Sequence, residues 1–168
     1  MRRSVSAVEP IKTSALFSVT DPGAIRSPRN TGYLAKDPAG KEVLNRIGAS
    51  LAERGYRVTP AKPTIAVGFH GAICCKLSRF LEADLLLSII EHHDGLVQCL
   101  LWAIPVRPIR SRLLFGKRPT QVETTEEFRR LLQSISDEVV NRLGATSFSW
   151  LSEEEAVRLT ERELKGTA

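Results

Sequence analysis

The stretch Thr64–Ile104, TIAVGFHGAICCKLSRFLEADLLLSIIEHHDGLVQCLLWAI, decides the fold, because it is the densest apolar sequence in the chain. Within it, Asp94-Gly95 separates two apolar runs, Leu85–Ile90 and Leu96–Ile104. Asp-Gly supplies the positive φ angles that a two-residue hairpin turn requires. With a second turn at Leu81–Asp84, the stretch predicts an antiparallel meander of three strands.

Neither apolar run alternates with polar residues, so each predicted strand carries apolar groups on both of its faces. In an antiparallel strand with one face in water, apolar and polar residues alternate. Because these two strands lack that alternation, we expect them to be central and covered on both sides. Helices can supply part of that cover. A partner chain can supply the rest, so the sequence predicts a homodimer or a stable complex with another protein.

Composition places the chain among globular proteins. Its 168 residues are 42% apolar, which suits one domain with a substantial core. The net charge of +5 is modest for a nucleic-acid-binding protein. Three cysteines, two of them adjacent, make a poor disulfide framework and favour a reducing compartment.

The sequence shows no targeting or membrane segment. No stretch approaches the roughly 18 apolar residues of a membrane-spanning helix. Glu9, Pro10 and Lys12 interrupt the N-terminal sequence before the apolar core of a signal peptide can form. We therefore expect a cytoplasmic protein that does not engage membranes.

Breaker residues and charge divide the chain into three parts. Residues 1–36 form a basic arm rich in Pro, Gly and Asn, in which Ala15–Val19 can make one short strand. Residues 37–151 carry the main domain. Residues 152–168 form a C-terminal surface helix, marginal by itself because it is short and its apolar positions are sparse.

The first helix of the main domain has clear boundaries. Asp37 is a good N-cap, and Pro38 suits the first helical position. Gly55 is the expected left-handed stop. Between these ends, four apolar residues recur at helical spacing: Val43, Leu44, Ile47 and Leu51.

The second helix has the strongest local signals in the chain. Thr124 and Glu127 fit a capping box, and Gly144 is the expected stop. One apolar face is predicted from the residues Phe128, Leu131, Leu132, Ile135, Val139 and Leu143.

Two short elements follow the second helix. The segment Ser147–Leu151 predicts a short strand with Phe148 and Trp150 on one side. The segment Ser152–Glu155 then opens the last helix with another capping box.

These elements predict an α+β fold of two layers. One layer is a mainly antiparallel sheet of four or five strands. The other consists of the two main helices, packed on one face of the sheet, and the marginal C-terminal helix lies on the surface.

All three cysteines and all three histidines lie in the meander, which raises the question of a metal or catalytic site. Successive side chains of a strand point to opposite faces, so Cys74 and Cys75 cannot both reach one ion, and zinc-site spacings such as C-x2-C are absent. We expect no metal, no cofactor and no catalytic residue. The alternative is a small enzyme, in which His70 or His92 faces a cysteine across the strands, or in which carboxylates near the turns act as acid and base. Those carboxylates are Glu82, Asp84, Glu91 and Asp94.

The segment Arg107–Arg118, called the basic link below, is the candidate partner-binding surface because it carries five cations and no acid. Its predicted binding residues are Arg107, Arg110, Arg112, Phe115, Lys117 and Arg118. A solvated loop balanced by the acids of the second helix is the plain alternative. A protein partner with an acidic surface is favoured over nucleic acid, because Phe115 is the only aromatic residue in the link.

The order of these features resembles certain small bacterial α+β proteins. It runs from a helix to a meander with a D-G hairpin (EHHDGLVQCLLW), an Arg-rich link holding LLFGKR, a second helix and a short strand (SFSW), over Asp37–Trp150. Proteins of this layout include immunity proteins and antitoxins, which block a cognate toxin. The resemblance implies a non-enzymatic bacterial protein-binding module. A small enzyme and a nucleic-acid-associated regulator acting through the basic link are the alternatives.

Overall fold

The computed structural model has nine regular elements among the residues that it describes. It describes residues 12–20, 40–62, 69, 71–79, 81–93, 96–106 and 126–166, with the backbone alone at 91–93, 163, 164 and 166. In chain order the elements are β1 Lys12–Val19, α1 Lys41–Glu53, β2 Arg57–Val58, β3 Gly71–Lys76, β4 Glu82–His93, β5 Leu96–Val106, α2 Glu126–Asn141, β6 Ser147–Ser152 and α3 Glu153–Gly166.

The strands form one sheet in the order β2-β3-β4-β5-β1-β6, and every neighbouring pair is antiparallel. The predicted α+β class is confirmed. The sheet has six strands where four or five were expected, because both the N-terminal strand and the two-residue β2 pair into it. As predicted, β4 and β5 are central.

The meander β3-β4-β5 is confirmed, with one turn displaced. His93 pairs with Leu96, which leaves two residues to connect β4 to β5, as the Asp94-Gly95 signal predicts; those two residues lie outside the described part. The β3–β4 turn was expected at Leu81–Asp84 and instead precedes β4. There the amides of Leu77 and Ser78 both donate to the carbonyl of Leu81, each at 3.0 Å. Residues 82–84 are therefore free to pair with β3 and β5, and β4 is longer than its apolar run.

Strand β1 is an inner strand of the sheet. It pairs with β5 on one side, where Phe17 faces Cys99, and with β6 on the other, where Phe17 faces Phe148. Ala15, Phe17 and Val19 are at most 1% exposed. The strand expected within the N-terminal arm thus exists, starts at Lys12 and belongs to the core of the sheet.

The core lies between one face of the sheet and the helices α1 and α2. The apolar stripe predicted for α1 is buried, and four residues of the predicted stripe of α2 are buried with it: Phe128, Leu131, Ile135 and Val139. From the sheet, this cluster takes the alternate residues Ala15, Phe17, Val19, Ile73, Cys75, Ala83, Leu85, Leu87, Val97, Cys99, Leu101 and Ala103. Burial of these side chains removes apolar surface from water at roughly 25 cal/mol per Å², which is the main contribution to folding.

The C-terminal ends of α1 and α2 follow the sequence signals, but the predicted start of α1 is wrong: its N-cap is Gly40 and not Asp37. Gly55 and Gly144 have φ of 93° and 63°, so both left-handed stops are confirmed. Helix α1 begins at Lys41, after Gly40 with φ of 72°. The left-handed φ of Gly40 favours glycine, and a Cβ there would lie 2.4 Å from Leu87 Cδ2, so the Leu87 side chain would have to shift to admit one. Asp37, Pro38 and Thr124, expected to cap α1 and α2, lie outside the described residues.

The capping box of α3 is confirmed. The Glu155 amide donates to Ser152 Oγ at 3.3 Å, and the Ser152 amide donates to Glu155 Oε2 at 2.7 Å. The bond from the Ser152 amide is the first cause that lowers the pKa of the Glu155 carboxyl below its ordinary value, and the Ser152 hydroxyl adds to it. Ala156 is buried but Val157 is 41% exposed, and among the described elements α3 packs mainly against β6 and β1. Within the described ranges, no helix has the length and apolar content needed to cross a membrane.

Candidate partner-binding face

The basic link lies outside the described residues, between Val106 at the end of β5 and Glu126 at the start of α2. All six predicted binding residues, Arg107 to Arg118, fall in it. The strand that leads into the link is described: Val106 lies opposite Glu82, and Ile104 lies opposite Asp84. The described part of β5 therefore ends opposite two acidic residues, at the end of the sheet where β4 begins.

The two adjacent cysteines lie on opposite faces of the sheet, as the strand geometry predicts. Cys75 is fully buried in the core under the helices, as is Cys99 on β5. Cys74 is half-buried on the other face, where it lies opposite Asp84 and its Sγ is 3.8 Å from Glu82 Oε2. All three cysteines are free thiols.

The surroundings of the thiols keep them protonated. Burial, with the nearby carboxylates of Asp84 and Glu82, raises the pKa of the Cys74 thiol to about 12. Burial also raises the pKa of Cys75 and of Cys99 to about 12. The thiolate is the nucleophile in cysteine chemistry, so these environments oppose nucleophilic catalysis at neutral pH.

The described residues show no metal or catalytic site at the three histidines. His70 lies outside the described residues. His92 and His93 are the last residues of β4, and their backbones pair with Val97 and Leu96. Across the part of the chain that the structure describes, no group of three or more His, Cys, Asp or Glu side chains could hold a metal ion.

The face of the sheet opposite α1 and α2, called the second face below, gathers the remaining apolar side chains of the central strands. Facing residues of an antiparallel pair share one side of the sheet. The register therefore places the following residues on the second face: Ser14, Leu16, Cys74, Glu82, Asp84, Leu86, Ser88, Leu100, Trp102 and Ile104. Leu100 is fully buried, Leu16, Leu86 and Trp102 are half-buried, and Ile104 is 37% exposed.

Trp102 is the centre of the second face. It lies between Ser14 on β1 and Leu86 on β4, and the Phe69 ring meets it edge-on with centroids 5.8 Å apart. Trp102 Nε1 and Ser14 Oγ are both buried, and neither has a hydrogen-bond partner in the described structure. A buried donor or acceptor without a partner costs free energy, so these two groups oppose the stability of the sheet.

Sequence reasoning anticipated that this face is apolar and missed its centre. The lack of alternation in Leu96–Ile104 indicated a second apolar face, which the structure confirms. No sequence pattern indicated that Ser14 and Phe69 lie against Trp102, because neither residue is close to Trp102 in sequence.

A separate apolar groove of 230 Å³ lies between α1 and the segment that follows β2. Gly48, Val58 and Ile73 line it together with Asn45, whose Oδ1 accepts from the Ala61 amide at 3.4 Å. That bond fixes the segment after β2 against α1. No acid, base or thiol is among the lining residues, so the groove offers packing surface and no chemistry.

Comparison with known proteins identifies no relative: no family model, no curated protein and no solved structure matches this chain.

Proposed function

We propose that this chain is a non-enzymatic bacterial protein-binding module, most concretely an immunity- or antitoxin-like inhibitor of a partner protein. The observation that carries the proposal is the second face of the sheet. Its half-buried Trp102 and Leu86 and its exposed Ile104 form an apolar surface beside the carboxylates of Glu82 and Asp84. Aromatic and aliphatic residues surrounded by polar groups are typical of protein interfaces.

The basic link follows this surface in the sequence. Ile104 lies on the second face, and Arg107 follows three residues later. A partner that covers Trp102 and Ile104 would thus meet the start of the link, where an acidic surface would complement Arg107, Arg110 and Arg112. We assign the link the role of steering the partner and the second face the role of holding it.

The small-enzyme alternative is less well supported, because the described thiols are poor nucleophiles. A thiol with a pKa of about 12 is almost entirely protonated at pH 7. Asp84 and Glu82 disfavour the Cys74 thiolate, the reverse of what an activated cysteine needs.

Co-expression with the product of the gene next to its own tests the proposal. If that product is a toxin, the chain should restore growth of the host and form a stable complex with it. Reversal of charge in Arg110→Glu/Arg112→Glu should slow association and weaken its dependence on salt while the circular dichroism spectrum stays unchanged.

The matched control is Arg129→Glu/Arg162→Glu, which makes the same change of charge at exposed positions of α2 and α3. Equal loss of binding in both variants would show an effect of net charge alone and would remove the role of the link. Tight binding of the chain to a random DNA duplex, falling steeply with salt, would instead favour the nucleic-acid-associated alternative.

A further inference from the structure

The two edges of the sheet are built differently. At one edge, β2 has only two residues, of which Arg57 is exposed, and the exposed residues Pro60 and Lys62 follow it. Short length, cations and proline are the usual devices that keep an edge strand from pairing with another chain. This edge is protected.

The edge at β6 has none of these devices. Ser147–Ser152, SFSWLS, is a six-residue strand without a charge, a proline or a glycine. It pairs with β1 on its inner side, and no strand of the described chain pairs with its outer side. Helix α3 follows β6 and contacts β1 as well, so it turns back toward the sheet.

We infer that the outer side of β6 binds β6 of a second copy of this chain. The two strands would pair antiparallel about a twofold axis at Ser149 and join the two sheets into one of twice the width. Alternate N–H and C=O groups of an edge strand have no partner within the sheet, and such pairing satisfies them.

The sequence of β6 is complementary to itself in this register. About Ser149, antiparallel pairing sets Phe148 opposite Trp150 of the other copy, twice by symmetry. Both rings are half-buried, and within one chain they already meet edge-on, with centroids 5.5 Å apart and planes at 89°. Pairing would therefore align four aromatic rings along one face, and aromatic pairs across strands are among the stabilising ones.

Charge also selects the antiparallel arrangement. Glu153, Glu154 and Glu155 follow directly after β6 and are all exposed. Parallel pairing would set the two acidic groups side by side. Antiparallel pairing about Ser149 sets the two Glu153 residues eight residues apart, about 26 Å at roughly 3.3 Å per residue, which exceeds the Debye length at physiological salt.

Sedimentation velocity of the full chain at micromolar concentrations tests the inference. The chain of 18.6 kDa should sediment as a dimer, with little dependence on salt because the paired strands carry no charge. Ser149→Lys should shift it to the monomer, since the two lysines would face each other on the axis, and Ser149→Glu should do the same. The control Val157→Lys, at an exposed position of α3, should leave the dimer intact.

Mixing the two charge variants gives the decisive outcome. Ser149→Lys and Ser149→Glu are each expected to be monomeric and folded by circular dichroism, and their mixture should recover a dimer. A monomeric wild-type chain, or an Ser149→Lys variant that dimerises as well as wild type, would overturn the inference. The oligomeric state of the wild-type chain and of the Ser149 variants is measured without any other protein. It therefore tests the dimer separately from the partner proposed for the second face and the basic link, and binding of that partner should depend on salt.

Discussion

At the residue scale, the adjacent Cys74 and Cys75 show how strand geometry separates chemical environments. One thiol lies in the apolar core and the other beside Glu82 and Asp84, yet both are protonated. Burial is the first cause in each case, and carboxylates add to it only for Cys74. Burial thus raises the pKa of both thiols, although they lie on opposite faces of the sheet.

The raised pKa values of the thiols predict that stability falls in alkaline solution. A thiol ionises near pH 9 when the chain is unfolded, but near 12 in the folded protein. The unfolded chain therefore loses protons first, and the free energy of unfolding should be unaffected below pH 9 and fall as the pH rises from about 9 toward 12. The limiting slope is about 1.4 kcal/mol per pH unit for each buried thiol.

Urea unfolding at a series of pH values measures this slope. In the variant Cys75→Ala/Cys99→Ala the stability at pH 8 should be lower, since small cavities are left, and the alkaline slope should be smaller than in wild type. An unchanged slope in that variant would contradict the assignment of the effect to the buried thiols.

At the scale of elements, β1 is the strand on which the sheet depends. It lies between β5 and β6, so it joins the meander to the C-terminal part of the chain. Its alternate residues Ala15, Phe17 and Val19 are buried under the helices. The segment around it is rich in breakers, but eight residues suffice to form this strand because neighbours on both sides satisfy its backbone.

Truncation of the central side chain of β1 should destabilise the whole domain. Phe17 is fully buried, so Phe17→Ala should lower the free energy of unfolding by about 3–5 kcal/mol. The matched control is Phe148→Ala on the edge strand β6, where the facing ring is only half-buried and a smaller loss is expected. Urea denaturation followed by circular dichroism measures both; equal losses would argue against an inner position for β1.

At the scale of the whole molecule, one sheet unites residues from both ends of the chain. Strand β1 near the N-terminus pairs with β6 near the C-terminus, and α1 and α2 cover the same face of the sheet. Two ion pairs also join the C-terminal ends of these helices: Arg54 to Asp137 at 3.5 Å and Arg142 to Glu53 at 2.8 Å. The pairs are exposed, so they contribute little compared with the shared core.

This arrangement predicts a single cooperative unfolding transition. Trp102 on β5 and Trp150 on β6 lie on different strands and can be observed separately in the variants Trp150→Phe and Trp102→Phe. At equal protein concentration, the tryptophan fluorescence of each variant should change at the same urea concentration as its circular dichroism. A Trp150 signal that changes before the circular dichroism would show that β6 unfolds independently of the rest.

Much of the fold could be predicted from sequence, because its signals are local. The Asp-Gly pair, the apolar stripes of α1 and α2, the left-handed glycines and the Ser152–Glu155 capping box each depend on residues a few positions apart. Where a boundary was misplaced, as at the β3–β4 turn, pairing with β3 and β5 extended β4 beyond its apolar run. The apolar character of the second face could also be predicted, from the lack of alternation in β4 and β5.

Local sequence patterns were enough to predict both main helices, the meander and the two apolar faces of the central strands. Only the tertiary structure decided that β1 is inserted between β5 and β6, that Ser14 and Phe69 meet Trp102, and that β6 is left at an edge. The physical reason is the range of the interactions. Turns, caps and stripes are set by neighbours in sequence, whereas the pairing of Ser14 with Trp102 is selected by the free energy of the whole sheet.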